Sequence, residues 1–561
     1  MKTHNRLAVP LFVLSIASTT AAWAQATSKP PEQLGTVSFA NSCAPAVQAS
    51  LQRAVALLHS FWFGESEKTF REVLERDPAC AIATWGIATN IIGNTFSEGP
   101  LPARAKQAQE VLERGRAIGA KTERERYFIE AIGEYYERYG DRTPEQRMKS
   151  LSNAFEIAAK RFPNDDETQI FSAVYLTATQ SLDDKTFAAA LKAAAILEVQ
   201  FKKHPDHPGV AHYLIHSYDY PPIAAKGLNA AKRYAEIAPS APHALHMPSH
   251  IFTRVGAWQD PARSNERSAA VAKAGKEGGS VLHASDYLAY AYLQLARDSD
   301  ARRLVEEAQG MRAAPTAPRG MHYALAAIPA RYAVERGAWQ DAAQLKPQES
   351  RVLYTIAITH FARALGAARS GDPAAAESDV QELARIAEAL KAEKNMYWST
   401  EVEVQRLGAA AWVAYAKGNR DEALKLMRAS AELETKSEKS TVSPGRLVPA
   451  YELLGDMLME NGKPGEALAA YEQSQVQDPN RYRSLYGAGQ AAAQSGNRDK
   501  ARYYFSKLIE LAGAGEPRPE IEKARQYLGA SSRTDSRLHA PPLVSRSHMP
   551  SVCCAIQRNA P

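Results

Sequence analysis

The chain has 561 residues, 45% of them hydrophobic and 23% charged, with a formal net charge of +6. That composition is ordinary for a globular protein and excludes a low-complexity or collagen-like chain. The excess charge sits mainly at the ends, in Lys2 and Arg6, and in Arg533, Arg537, Arg546 and Arg558 against Asp535. The body is close to neutral and carries no basic footprint for nucleic acid or an anionic membrane, so no nucleic-acid partner is expected.

Residues 1–24 read as a signal peptide. Lys2 and Arg6 precede a short apolar run, and Ala22-Trp23-Ala24 forms an A-x-A cleavage site. The apolar run is too short to span a bilayer, so no membrane span is expected. The mature chain should be exported, to the periplasm or outside a bacterial cell. Residues 25–39 are expected to be disordered. Export also gives the cysteines a meaning. Cys43 precedes the first long helix and Cys80 opens the next first helix, so in a stacked helical array the two lie at neighbouring ends and should pair. Two buried thiols are the alternative. Cys553 and Cys554 lie in a Ser/Arg/Pro-rich tail and receive no role.

Valine and isoleucine do not alternate, and the pattern throughout is helical. It is clearest near the C-terminus. Tyr451, Leu454, Gly455, Leu458, Ala467, Tyr471 and Pro479 fall at positions 4, 7, 8, 11, 20, 24 and 32 of a tetratricopeptide unit. Adding 34 gives Leu485, Ala488, Gly489, Ala492, Ala501 and Phe505, which fit again. Small residues at 8 and 20 let two helices approach, and the large one at 24 fills the gap. Ser66, Phe70, Val73 and Pro78 fit the same register near the N-terminus, and Thr122 to Glu125 reads as a capping box. The fold class is therefore all-α, an α-solenoid of helix–turn–helix repeats. Residues 40–345 form an N-terminal repeat region, 346–528 a C-terminal array, and 529–561 a disordered tail.

Seven of the 14 histidines fall between His204 and His250. His212 and His216 are four apart, as are His246 and His250, and the two pairs are offset by 34 residues, one tetratricopeptide unit. HPDHPGVAHYLIHSYD followed by PHALHMPSHIFTRVG resembles a group of exported bacterial tetratricopeptide-repeat proteins with that paired signature. LLHSFWFGESEKTF and DPACAIATWGIAT resemble the same group's opening repeat. The likeness covers roughly residues 40–300. It implies the repeat fold and, as for such arrays generally, a protein or peptide partner on the concave face.

The histidine pairs admit two readings. Residues four apart share one helix face, so two pairs on adjacent helices can converge on a metal, with His243 and His283 as further ligands. Zinc is the first candidate cofactor, with Asp206, Asp219 or Asp286 orienting the rings. Against this, neither pair is H-E-x-x-H, and His246 and His250 sit at positions 4 and 8, which normally pack between helices. A buried histidine bonded to a carbonyl would suffice there. Pro248 lies inside the helix carrying His246 and His250 and should kink it. His283, Asp286 and Tyr290 fall at positions 2, 5 and 9, which line the concave face, and are the expected partner-binding row. No nucleophile elbow, phosphate loop, dinucleotide fingerprint or CxxC pair occurs, so no catalytic residue is assigned and enzymatic activity stays open. The leading expectation is a scaffold that binds a peptide or protein. The alternative is a histidine-ligated metal protein or metal-dependent hydrolase on the same scaffold.

Overall fold

Phe39, Trp85 and Phe128 open the first core, with Phe39 stacked on Trp85 at 5.1 Å between ring centroids. The computed structural model describes residues 32–538, and every regular element among them is a helix. Each helix packs on its chain neighbours and many on the next but one, the arrangement of a tetratricopeptide-type solenoid. The repeat register explains the packing. A Cβ on Gly455 would come within 2.7 Å of the Tyr471 ring, so the small residue at position 8 is what admits the large one at 24. Thr122 and Glu125 cap the helix Glu123–Tyr136 reciprocally, side chain to backbone in both directions.

Cys43 and Cys80 are joined in a disulfide, with Cα atoms 4.7 Å apart. Residues 32–39, expected to be unstructured, instead run along the helices. Thr36 N–H donates to the Asp206 carbonyl at 2.9 Å, Gln33 N–H to Ser240 Oγ at 2.8 Å, and Phe39 is fully buried. One aromatic plug and two backbone bonds fix a segment that has no helical periodicity to announce it. At the other end the helix Pro519–Leu538 runs into the stretch expected to be disordered. The signal sequence, Cys553 and Cys554 lie outside the described residues.

Among the described residues the array curls until its late repeats meet its middle. Trp258 Nε1 donates to the Asn480 carbonyl (2.8 Å), Tyr482 N–H to Gln294 Oε1 (2.8 Å), and Arg518 Nε to Asp298 (3.0 Å). At the centre of that contact Arg481 is fully buried between Glu335 (2.7 Å), Glu452 (3.0 Å) and the Tyr290 hydroxyl. A buried guanidinium is tolerated only when its donors are met this completely.

The connection between the helices Arg420–Glu434 and Ala450–Glu460 occupies the space that remains inside. Glu438 N–H donates to Leu182 O (2.9 Å), and Arg331 donates to the carbonyls of Gly445 (2.7 Å) and Arg446 (3.0 Å). The Tyr287 hydroxyl lies 3.2 Å from Thr441 O and 3.1 Å from Ser443 O. This internal strap packs over two residues of the expected partner-binding row. Asp286 is buried against Arg331 at 3.0 Å, and Tyr290 is buried under Arg481 and Gly445. Both face the chain itself. The repeat register places a residue on the inner face but does not show what fills that face.

Candidate metal centre

Two local devices bring the histidines together. The helix Pro208–Tyr218 begins at His207, whose ring accepts from Val210 N–H, with Pro208 in the first position. A Cβ at Gly209 would lie 2.3 Å from His59 Nδ1, so only glycine lets this helix rest on His59. The second device is Pro248. It cannot donate to the turn before it, and the chain divides into the short helices Pro242–His246 and Pro248–Arg254. His246 ends one and His250 lies in the first turn of the other.

The result is six imidazoles in two sets of three. His212, His216 and His243 offer ring nitrogens within 4.8 Å of one another, and so do His246, His250 and His283. The sets abut, with ring centroids 5.9 Å apart for His216 and His250 and 5.8 Å for His243 and His246. His212, His216, His246 and His250 are buried, while His243 and His283 are half-buried at the rim. The four paired histidines thus join His243 and His283 in two neighbouring sites rather than one.

The hydrogen bonds fix the tautomers. His246 Nδ1 lies 2.7 Å from Asn265 Oδ1, and the Asn265 amide is oriented by its own donation to Pro261 O at 2.8 Å. His250 Nδ1 lies 2.9 Å from Asp219 Oδ2. An amide oxygen and a carboxylate only accept, so both Nδ1 atoms carry the proton. Both Nε2 atoms then present lone pairs to each other, at 3.1 Å. In the other set His212 Nδ1 donates to the His59 carbonyl at 2.6 Å, leaving its Nε2 lone pair 3.1 Å from His243 Nε2. Neither nitrogen of buried His216 has a hydrogen-bond partner. Two imidazoles on one zinc, at about 2.05 Å each and tetrahedral, place their nitrogens about 3.3 Å apart.

Burial holds His212, His216, His243 and His246 well below the usual histidine range. It pushes His283 down to about 3, and lowers His250 although Asp219 opposes it. Burial works to raise Asp219, but Lys439, Arg254 and His250 together hold it well below the carboxylate range. Arg254 donates to Asp219 at 2.9 Å, and Lys439, from the internal strap, stands 3.7 Å away. Burial brings Lys439 down to about 7.

A third cluster, His59, Glu167 and His207, has metal-like spacing but a different hydrogen-bond logic. His59 Nε2 and His207 Nε2 each donate to a different oxygen of Glu167, both at 3.0 Å. His59 Nδ1 then accepts from the Tyr213 hydroxyl (2.9 Å) and His207 Nδ1 from Val210 N–H (3.3 Å). Every ring nitrogen is satisfied by protein. This network meets the His212, His216 and His243 set at His59, whose carbonyl accepts from His212 Nδ1.

Of the carboxylates considered from sequence, only Asp219 orients a histidine. Asp206 pairs with Arg233 at 2.8 Å and Asp286 with Arg331. His322 lies apart, bonded to Ser350 Oγ at 3.0 Å. Glu167, Asn265, Arg254, Tyr287 and Lys439 escaped sequence reasoning. None sits at a repeat offset from the histidines.

No protein-family model matches the chain, and no curated protein matches it. Among solved structures it is similar to the crystal structure of yeast Tom70, at 14% identity over 88% of this chain and 90% of that one, with a TM-score of 0.28. A tetratricopeptide repeat protein from Parabacteroides merdae gives 11% identity over 72% and 99%, with a TM-score of 0.22. The human IFIT1 dimer with PPP-AAAA gives 11% over 77% and 90%, with a TM-score of 0.38. Likeness at this level bears on no activity. The helical-repeat assignment rests on the chain's own packing. Among the described residues no helix is long and apolar enough to cross a membrane.

Proposed function

We propose that the protein is an exported, periplasmic or secreted, metalloprotein that holds two metal ions inside a helical-repeat scaffold. One ion sits on His212, His216 and His243, the other on His246, His250 and His283. The observation that carries this reading is the pair of Nε2 lone pairs facing each other at 3.1 Å between His246 and His250, each ring committed at Nδ1 to an acceptor. Two lone pairs at that distance repel unless a cation lies between them, and the dry surroundings disfavour a proton as that cation. Second acceptors behind the ligating rings are what orient histidines at metal sites. The all-imidazole donor set suits zinc or copper rather than magnesium, calcium or manganese. Protein purified without an affinity tag should carry two equivalents of such a metal by elemental analysis. The double variant His246→Ala/His250→Ala should lose metal while keeping its helical circular dichroism. A metal-free wild type, or a double variant that keeps both ions, would overturn the reading.

A second activity has its own support. A cleft of about 240 Å³ in the late repeats is lined by Arg336, Arg369, Arg483, Asp456 and Glu460 together with Tyr486. Fixed charges of both signs beside an aromatic ring suit a peptide or protein partner of mixed charge, not nucleic acid. A peptide array bound by wild type and no longer bound by Arg336→Glu checks it.

A further inference from the structure

If two ions occupy the paired sites, the charge of the pocket restricts what they are; this step rests on the two-ion reading above. The six ligands are neutral imidazoles. The nearest carboxylate, Asp219, is shared by Arg254 at 2.9 Å and Lys439 at 3.7 Å, and Asp286 is spent on Arg331 at 3.0 Å. No carboxylate belongs to either three-histidine set. The walls are aromatic. Phe96 stacks on His216 at 4.0 Å, Phe61 on His243 at 5.4 Å, and Tyr234 on His212 at 5.2 Å between centroids. Two divalent ions would place four positive charges in this apolar space with no carboxylate in either set to offset them. At equal separation they repel each other four times as strongly as two monovalent ions.

Copper is a metal that imidazole suits and that has an accessible monovalent state. We infer that the six histidines hold a pair of copper ions in the monovalent state, three imidazoles to each, and that the pair reduces dioxygen to bound peroxide. Each Cu(I) gives up one electron, and dioxygen takes both to become a peroxide dianion bridging two Cu(II). No proton is required and no bond to histidine breaks. The net charge of the pair plus its guest is two positive before and after, so the buried site changes oxidation state without a new uncompensated charge. Dioxygen is small and apolar, and four of the six ligands are 0–3% exposed, with His243 and His283 half-buried.

The test is a titration of chelator-stripped full-length protein with Cu(I), without oxygen, followed by admission of air. Two copper ions per chain should bind, ahead of zinc in direct competition. Air should then convert both to Cu(II), with uptake of one dioxygen for every two coppers and no electron paramagnetic resonance signal, because the two spins couple through the bridge. In His243→Ala the count should fall and any oxidised copper should give an ordinary isolated Cu(II) signal. If two zinc ions bind and displace Cu(I), the two-ion reading stands and the copper inference falls. A two-copper form that takes up no dioxygen, or gives a full Cu(II) signal, also overturns it. Failure to retain either metal removes the two-ion reading itself.

Discussion

Two groups of buried histidines, His59 with His207 and His246 with His250, answer the same physical problem differently. In the first, Glu167 accepts from His59 and His207, and a tyrosine hydroxyl and a backbone amide donate to their remaining nitrogens. Nothing is missing, because each donor faces an acceptor. In the second, His246 and His250 are both made to donate outward, to Asn265 and Asp219, and their other nitrogens confront each other. His216 nearby has no partner at all. Close spacing of histidines therefore says little by itself. Proton accounting separates a cluster whose ring nitrogens are all met from one whose nitrogens are left facing each other.

The contrast predicts opposite mutational signatures. Glu167→Ala strips the acceptor from two buried rings. It should cost about 3–6 kcal/mol of stability, the sum of two hydrogen bonds to a charged group. Its metal content should stay at the wild-type level. Thermal melting read beside elemental analysis checks both, and loss of metal without destabilisation would reverse the two assignments.

Asp219→Asn should act in the other sense. The amide oxygen can still accept from His250 Nδ1, as Asn265 does from His246, but the negative charge that balances Arg254 and Lys439 and strengthens the ring as a donor is gone. Metal affinity should fall by about 10–100-fold, the usual cost of losing such an orienting partner. Competition against a chelator measures it. An unchanged affinity would mean that His250 does not ligate.

The smallest expected effect is with pH. Ligating imidazoles must be neutral, and burial lowers every histidine of the six, His283 to about 3. Metal should therefore be retained below about 6.5, where an exposed histidine site would begin to lose it. The same direction holds for folding. The unfolded chain takes up protons below the ordinary histidine range that the folded chain refuses, so stability of metal-free protein should decline as pH falls. Dialysis of loaded protein at stepwise lower pH, with melting of the metal-free form, tests both trends.

The sequence showed the scaffold well because repeats leave periodic marks. Gly455 and Tyr471 reveal their packing through position alone, and the 34-residue offset of His212/His216 and His246/His250 put both pairs on neighbouring helices. Proline at 248 announced the break between Pro242–His246 and Pro248–Arg254. What escaped was whatever depends on the array curling back. Lys439 reaches Asp219, and Arg481 reaches Glu335 and Tyr290, across separations that no repeat period encodes. The concave face was legible as a face, with Asp286 and Tyr290 on it. That a strap of the same chain fills it was not, because its segment has no periodicity.

The most direct measurement is anomalous diffraction from crystals of the tag-free protein, recorded above and below the absorption edge of the metal found by elemental analysis. Two peaks are expected, one among the ring nitrogens of His212, His216 and His243 and one among those of His246, His250 and His283, with none at His59, Glu167 and His207. The two peaks should lie roughly 3.5–4 Å apart, the spacing of paired metal sites. A single peak, a peak at Glu167, or a well-ordered six-histidine pocket with no anomalous signal in metal-loaded crystals would contradict the two-ion assignment.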